Sequence, residues 1–533
     1  MDMRIHALLI LIFLLLILSC ARRGRPEGGP KDENKPVMVK AEPDYGTVNF
    51  KAKEIKLYFD EFIKLKDIST QLVISPPLKY QPIIVPQGTA SKYISIKILD
   101  TLQENTTYTF NFGKSVIDNT EGNVLENFKY VVSTGDYIDS LSVKGFIKDA
   151  LLLKPDKNIV VMLYKYVENF NDSVVFKERP SYVGAMLDSV NYEITNIRDG
   201  KYVLLAMNDN NKNYKYNPKD DKIGFYNGVV ETPTDLSYPL VLFPEDKPFK
   251  LPGKPSEVFK GQVYFGFDGN ADSLKINVLS EKNADFKSHY AKDIKTDTVK
   301  YWFNNFDKDS IQFQLTNKDF SDKFFIKLRK KEIDSLKLVS GTRGSLELRD
   351  TLKLSTNNPV FQIDTTKITL YKQDSVQVKY TMGTDPSKLN LLFYFTKEFD
   401  MDYSLNLKSG AYTDIYGIRN DSLVQKFNTK RPANYSSVFI TLKNVKSYPL
   451  IVQLMNERGS IGATKHVLRE EEIQFENIMP GRYKVRVIYD ANNNKKWDSG
   501  NYLAKIQPEE VYYFKTVLTA NANWEIVETF ILE

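Results

Sequence analysis

At 533 residues the chain exceeds the roughly 100–200 residues of a single domain and has room for several separate cores. Its 73 Lys+Arg against 67 Asp+Glu give a formal charge of +6, dispersed along the chain, which argues against a nucleic-acid partner because phosphate backbones require basic clusters. The single cysteine and one of the three histidines, His6, fall in or beside an N-terminal apolar segment, and the remaining His289 and His466 are too few for a His/Cys metal site or a cysteine-based triad.

The cysteine is Cys20. It follows an apolar run, Ala7 to Leu18, that is flanked by Arg4 and Ser19 and is too short to cross a bilayer, as the h-region of a signal peptide is. Ile17-Leu18-Ser19-Cys20 resembles a bacterial lipobox, with Ile17 in place of the usual Leu. The resemblance implies that residues 1–19 are a lipoprotein signal peptide and that Cys20 becomes the acylated (palmitate-bearing) first residue of the mature protein. The alternative is an uncleaved anchor or a buried thiol. Residues 20–36 combine Gly, Pro and charge and read as a flexible linker. Within it Arg22, Arg23 and Arg25 suit either anionic headgroups or an ordinary solvated tether. Ala21-Arg22-Arg23-Gly24-Arg25 lacks the acidic stretch that resembles a Bacteroidetes surface-export tag, which implies the periplasmic face of the outer membrane.

Beyond the linker, aromatic residues alternate with polar ones in short runs such as Tyr108-Thr109-Phe110-Asn111-Phe112 and Tyr483-Lys484-Val485-Arg486-Val487. That period belongs to half-buried strands, and the predicted fold class is all-β, a string of tandem β-sandwiches. In residues 37–135, Glu42-Pro43-Asp44-Tyr45-Gly46, the Tyr108 strand and Asp118-Asn119-Thr120-Glu121-Gly122-Asn123 resemble the Ig-like domain of bacterial S-layer (SbsA-like) and surface proteins. The adjacent Asp60 and Glu61 point to opposite faces of a strand and are read as strand-end and turn residues.

An internal repeat follows. Asn196-Ile197-Arg198-Asp199-Gly200-Lys201-Tyr202 and the loop from Asp209 to Asn217 recur, 281 positions later and without a gap, as Asn477-Ile478-Met479-Pro480-Gly481-Arg482-Tyr483 and the loop from Asp490 to Asp498. The Gly-x-Tyr strand, with the Val143-Lys144-Gly145 opening and the strands Ile159 to Leu163 and Leu450 to Leu454, resembles prealbumin-like or carboxypeptidase-regulatory-like sandwiches. Two such units are expected at 140–253 and 434–533. Residues 256–355 alternate as a β-sandwich of unnamed type. Residues 356–432 end in Tyr403 to Leu407 and Asp414-Ile415-Tyr416-Gly417, a shorter echo of the first unit, and read as a second Ig-like domain. Proline joints at Pro252–Pro255 and Pro432 mark boundaries. Taken whole, the chain resembles Bacteroidetes lipoproteins with an N-terminal Ig-like domain, a resemblance that brings no activity with it.

Asp490, Asn492, Asn494 and Asp498 place oxygens at loop positions one, three, five and nine, a spacing that suits a hard cation, calcium above all. The matching set is Asp209, Asn211, Asn213 and Asn217. Position six is Lys495 and position twelve Asn501, so the glycine and the bidentate glutamate of a high-affinity loop are missing. An Asx-rich turn, each side chain bonding its own backbone, fits the same residues. Trp497 and the matching Tyr216 suit either stacking on a sugar face or capping of a core. His466, in Thr464-Lys465-His466-Val467, reads as an exposed strand residue. Phosphate loops, dinucleotide fingerprints and a serine elbow are missing, while a carboxylate-pair glycosidase stays open because paired acids obey no spacing rule. Asp followed by Ser or Thr and then an apolar residue or Thr starts at Asp100, Asp139, Asp172, Asp188, Asp272, Asp297, Asp309, Asp334, Asp350, Asp364, Asp374 and Asp421. It resembles a Bacteroidetes O-glycosylation sequon and equally suits a turn before a strand. These features point to a non-catalytic envelope lipoprotein whose sandwiches make structural or binding contacts with an unknown envelope protein or glycan. The alternative is a carbohydrate-binding accessory protein.

Overall fold

The computed structural model describes residues 32–532 except 154, 189, 330, 343, 374 and 375. The described chain is nearly all β, and its strands sort into successive units, each with an apolar core. Cys20 and the segment 1–19 read above as a signal peptide lie outside the described residues.

In the first unit, Met38–Glu42, Glu54–Leu65, Ser91–Lys97 and Ile83–Val85 form a sheet that Val116–Asp118 also joins. Val73–Ser75, Thr107–Asn111 and Lys129–Ser133 form the facing sheet. Alternate residues Ile55, Leu57 and Phe59 meet Tyr108, Phe110 and Val132 in the core, as a period of two dictates. Every residue of Thr107–Asn111 is nevertheless buried. Its outer face carries Thr107, Thr109 and Asn111, and the second unit covers it: Thr109 Oγ1 donates to Asn196 Oδ1 at 3.0 Å. The unit begins earlier than the linker assignment of 20–36 allows. Asn123 Nδ2 donates to the carbonyls of Asp32 and Asn34, both at 2.8 Å, and Val37 N–H donates to Asp60 Oδ1 at 2.9 Å. Asp60 and Glu61 are also not strand-end residues, because they sit inside the strand Glu54–Leu65 where its register shifts.

Asp118 gives the Asp118–Asn123 motif its physical meaning. The carboxylate is 1% exposed and accepts backbone N–H groups of Thr120, Glu121 and Asn123. Burial pushes its carboxyl up, but these N–H donors outweigh it and hold the carboxyl below the ordinary range. Asp414 does the same work in the fourth unit, accepting from Tyr416, Ile418 and the Asn358 amide. There burial wins and the carboxyl is raised.

The second unit is a closed circuit rather than two separate sheets. Pairing runs Ile159–Lys165, Tyr182–Met186, Asn191–Ile197, Leu141–Asp149, Leu240–Pro244, Lys222–Phe225, Gly200–Asn208 and back to Ile159–Lys165, so none of these strands is left as an edge. Gly145 is needed where the ring is tight, since a Cβ there would stand 2.1 Å from the Tyr238 carbonyl oxygen. Gly200–Asn208 is buried on both faces from Tyr202 onward. Tyr202, Leu204 and Ala206 face the ring interior; Val203, Leu205 and Met207 face an outer cluster with Phe225, Phe243 and Tyr216.

In the third unit Val263, Phe265, Val299 and Tyr301 face Ile276, Ile311, Phe313 and Leu315. The expected boundary at 355 moves. Leu338–Ser340 and Leu352–Thr356 pair with each other and then with Asn390–Tyr394, and Leu352 and Leu354 fill the core of Leu391, Phe393 and Leu405. Those strands therefore belong to the fourth unit, because their alternate leucines are buried there. Phe249 and Leu251, placed by sequence in the second unit, pack on the third core. In the fifth unit Ser436–Lys443 lies between Ile473–Ile478 and a parallel Glu525–Ile531, facing a sheet built on Leu450–Asn456 and Gly481–Tyr489.

Two outcomes test this arrangement. Phe313 is fully buried, with ring centroids of Tyr301 and Phe265 at 4.9 and 5.4 Å. Phe313→Ala is expected to lower the stability of the third unit by about 3–5 kcal/mol, read as a shift to lower urea of the fluorescence transition of the buried Trp302 in a Trp497→Phe, Trp524→Phe background. For Asp118 the sign follows from its depressed carboxyl: the stabilisation is present above the unfolded value of 3.8 and is lost as pH falls through the folded one. Asp118→Asn is expected to cost about 1–3 kcal/mol near neutral pH, and thermal melts of mutant and parent should converge in strong acid.

Candidate functional site

The two repeated loops have one construction. Asp209, 2% exposed, accepts the N–H groups of Asn213 and Tyr214 on its two carboxylate oxygens at 3.1 and 2.8 Å. Asp490, also 2% exposed, accepts those of Asn494 and Lys495 at 3.0 and 2.9 Å. Asn213 Oδ1 takes the N–H of Lys215 and Asn494 Oδ1 that of Lys496, each at 2.8 Å. A second carboxylate closes each loop, and neither lies within the repeated motif. Asp221 accepts from Asn210 N–H and Asn217 N–H; Glu509 accepts from Ala491 N–H and Asp498 N–H. Burial pushes both closing carboxyls up.

Asp490, Asn492, Asn494 and Asp498 therefore do share one loop, but their oxygens turn toward the loop's own donors. Asn492 Oδ1 accepts from Asn494 N–H, and the amides of Asn492 and Asn494 both donate to Asp498 Oδ2. Of the first loop's set, Asn217 Oδ1 accepts from Lys219 N–H while its amide donates to Asp220. Asn211 is exposed. The acidic group missing at position twelve is present in space as Glu509, spent on two backbone donors. Among the described residues no group of three or more His, Cys, Asp or Glu side chains is placed to hold a metal ion. Chemically, the arrangement fixes a long connection rigidly, as Asx turns do.

What the second loop fixes is a contact with a distant unit. The segment after Asp498 runs onto the outer aromatic cluster of the second unit. Tyr502 is fully buried there, its ring centroid 5.5 Å from that of Phe225 at 70°. Its N–H donates to Glu245 Oε1 at 2.6 Å and its hydroxyl to Asp172 Oδ1 at 2.8 Å. Lys505 pairs with the same Asp172 at 2.6 Å and lies 4.0 Å above the Tyr502 ring centre. Gln507 Nε2 donates to the Phe225 carbonyl at 3.0 Å, and the hydroxyls of Ser499 and Tyr513 donate to the carbonyls of Pro244 and Leu151. Gly500 is required, because a Cβ there would stand 2.6 Å from the Phe243 ring.

Trp497 and Tyr216 both belong to this interface. Tyr216 is 3% exposed and donates its hydroxyl to Glu245 Oε2 at 2.9 Å; Trp497 is half-buried on the same cluster and donates Nε1–H to the Glu509 carbonyl at 3.1 Å. Of the two readings of Trp497, this placement is the one that caps a core, with part of the ring packed on protein. His466 is an exposed residue of the strand Ile461–Val467, whereas His289 bridges the third and fourth units, Nε2 lying 2.9 Å from the Ser387 carbonyl oxygen. Of the Asp-Ser/Thr motifs, those at Asp139, Asp297, Asp309, Asp350 and Asp421 immediately precede strands Leu141–Asp149, Thr298–Asn304, Ser310–Asn317, Leu352–Thr356 and Leu423–Asn428. Asp374 and Ser189 lie outside the described residues.

Residues 32–134 match the bacterial Ig-like domain family. No curated protein matches the chain. Among solved structures, native alpha-2-macroglobulin from Escherichia coli, spanning domains MG0-NIE-MG1, is similar at 12% identity, over 33% of this chain and 71% of that one, with a TM-score of 0.18. The I67-I69 fragment of titin is 12% identical over 53% of this chain and 99% of its own, with a TM-score of 0.13. The S-layer protein SbsC(31-844) is 10% identical over 91% and 67%, with a TM-score of 0.14.

Removing the Tyr502 ring should open the contact. Tyr502→Ala is expected to remove about 3–5 kcal/mol of docking free energy, whereas the half-exposed Lys505–Asp172 pair contributes about 1 kcal/mol or less. Carbodiimide should join Lys505 to Asp172 in the parent chain and not in Tyr502→Ala, whose maximum dimension in small-angle scattering should rise.

Proposed function

We propose that this chain is a non-catalytic, lipid-anchored envelope protein of Bacteroidetes type that holds β-sandwich units in a fixed arrangement for structural or binding contacts. The observation that carries the reading is the burial of Tyr502, which ties the last unit to the second and so fixes the course of everything between. A chain of independently moving modules has no need of such a contact, since linked domains with small polar interfaces reorient freely. The matched Ig-like domain supports an extracytoplasmic contact module at the N-terminal end. Acylation of Cys20 would place that module next to the membrane, on the periplasmic face of the outer membrane, with an envelope protein or glycan as partner.

The alternative, a carbohydrate-binding accessory protein, would have to use the part of Trp497 left uncovered by the second unit, or another site. Exposed hydroxyls at Ser140, Ser273, Ser335, Thr351, Thr365 and Ser422, beside turns or strand starts, support accessibility of those positions to a glycan.

Cys20→Ser is expected to move the protein from washed membranes to the soluble fraction, since a lipid chain is the anchor proposed. Retention of the variant in membranes would overturn the anchoring. Protease added to intact cells should leave the parent protein whole if it faces the periplasm.

A further inference from the structure

The first two units enclose a cleft of about 920 Å³, the size of a small-molecule site. Its floor is Tyr108, Tyr182 and Tyr202, none more than 9% exposed, with Tyr182 and Tyr202 packed edge to face at 5.9 Å. One wall is Tyr80, a residue 54% exposed. The Tyr80 segment is held from both units. Asp100 Oδ2 accepts the N–H groups of Lys79 and Tyr80, and Arg179 of the second unit donates to the Lys79 carbonyl at 3.3 Å. The units cannot slide apart here easily, because Arg198 on the cleft rim is ion-paired to Asp139 at 3.3 Å and also donates to the Asn105 carbonyl.

Charge converges on this space. Lys79, Lys165 and Lys215 line it, and among the described residues none has a carboxylate within ion-pairing distance. What marks the place is the convergence of three such ammonium groups on one cleft. Glu178 and Asp199 also line the cleft without a cationic partner. A pure polyanion would be repelled by those acids. Lys79 Nζ lies 5.1 Å from the Tyr80 ring centre and occupies one face of that ring. A ligand carrying both carboxylates and hydroxyls uses both signs: lysines take its carboxylates, Glu178 and Asp199 accept its hydroxyls, and the other Tyr80 face covers a sugar ring. We infer that the cleft between the first and second units binds a uronate-type acidic saccharide. The inference goes beyond the scaffold reading and is independent of membrane anchoring, so failure of the Cys20→Ser test leaves it standing.

The test is calorimetric titration of the full chain with trigalacturonic acid and with neutral maltotriose. Trigalacturonic acid is expected to bind, with affinity falling as sodium chloride is raised, and maltotriose to bind at least about tenfold more weakly. Lys79→Glu with Lys165→Glu should weaken trigalacturonate binding about tenfold or more. Tyr80→Ala should weaken it while leaving the salt dependence in place. Lys79, Lys165 and Tyr80 are exposed, so the variants should keep the parent melting temperature. Absence of binding at millimolar saccharide, equal affinity for maltotriose, or binding unchanged in both variants would each overturn the assignment. So would lysine-dependent binding to anionic lipid vesicles without saccharide binding.

Discussion

The arrangement of the units depends on one aromatic side chain crossing a large separation in sequence. Tyr502 completes a cluster on the outside of the second unit's strand ring, which includes Phe225, Phe243 and Met207, and packs directly on Phe225 with ring centroids 5.5 Å apart. Burying a ring of this size is worth several times an exposed ion pair. Because the fifth unit is already tethered through the third and fourth, docking forfeits little of the translational freedom that a separate partner would lose. The junctions along the way are specific as well. Trp302, Ala291 and Ile415 are buried between the third and fourth units, where Tyr416 donates its hydroxyl to the Gly261 carbonyl at 3.0 Å. Lys430 pairs with Glu347 at 2.6 Å within the fourth unit close to the fifth, and Arg349 reaches the Gly462 carbonyl at 3.2 Å.

The repeat shows how such a contact arises from a common design. Both loops open with a buried aspartate that captures the N–H groups four and five residues ahead, and both are closed by a second carboxylate. In the second unit the chain then returns directly through Lys222–Phe225. In the fifth it returns only at Val511–Tyr513, and the additional residues form the segment that carries Gly500, Tyr502 and Lys505. The gapless offset of the repeat ends just where this segment begins. The polar loop is thus a rigid base, and the insertion after it carries the contact.

Much of the fold was legible because a period of two survives wherever one face of a strand meets water. Ile55, Leu57 and Phe59, or Tyr483, Val485 and Val487, announce their buried faces directly. The signal weakens where both faces are covered. Val203-Leu204-Leu205-Ala206-Met207 is a continuous apolar run, and that run was the available sign that something packs on the outside of the second unit. The boundary near 355 was misplaced because Leu352 and Leu354 alternate equally well into either neighbouring core. The closing carboxylates Asp221 and Glu509 escaped because each sits at a different distance from its loop, and spacing cannot reveal a partner supplied by a returning strand. Tyr502 stands in Asn501-Tyr502-Leu503-Ala504-Lys505-Ile506, where Leu503 and Ile506 are exposed and no alternation marks the buried residue, so its burial depends on a surface that local sequence does not describe.

Charge follows the same division between local and distant causes. Most ion pairs here join exposed groups and add little to stability. The exceptions lie where a distant strand or unit delivers one partner: Asp139, 6% exposed, meets Arg198 of the next unit, and Asp149, 9% exposed, meets Lys222 across the strand ring. A buried carboxylate without its partner would be strongly destabilising, so these pairs fix which surfaces may meet. Tyr502 supplies the area that holds the last unit against the second, while the partly buried Asp172, shared by the Tyr502 hydroxyl and Lys505, supplies the register. An apolar ring alone would tolerate sliding over the Phe225 cluster; a tyrosine whose hydroxyl is bound to Asp172 and whose backbone N–H is bound to Glu245 would not.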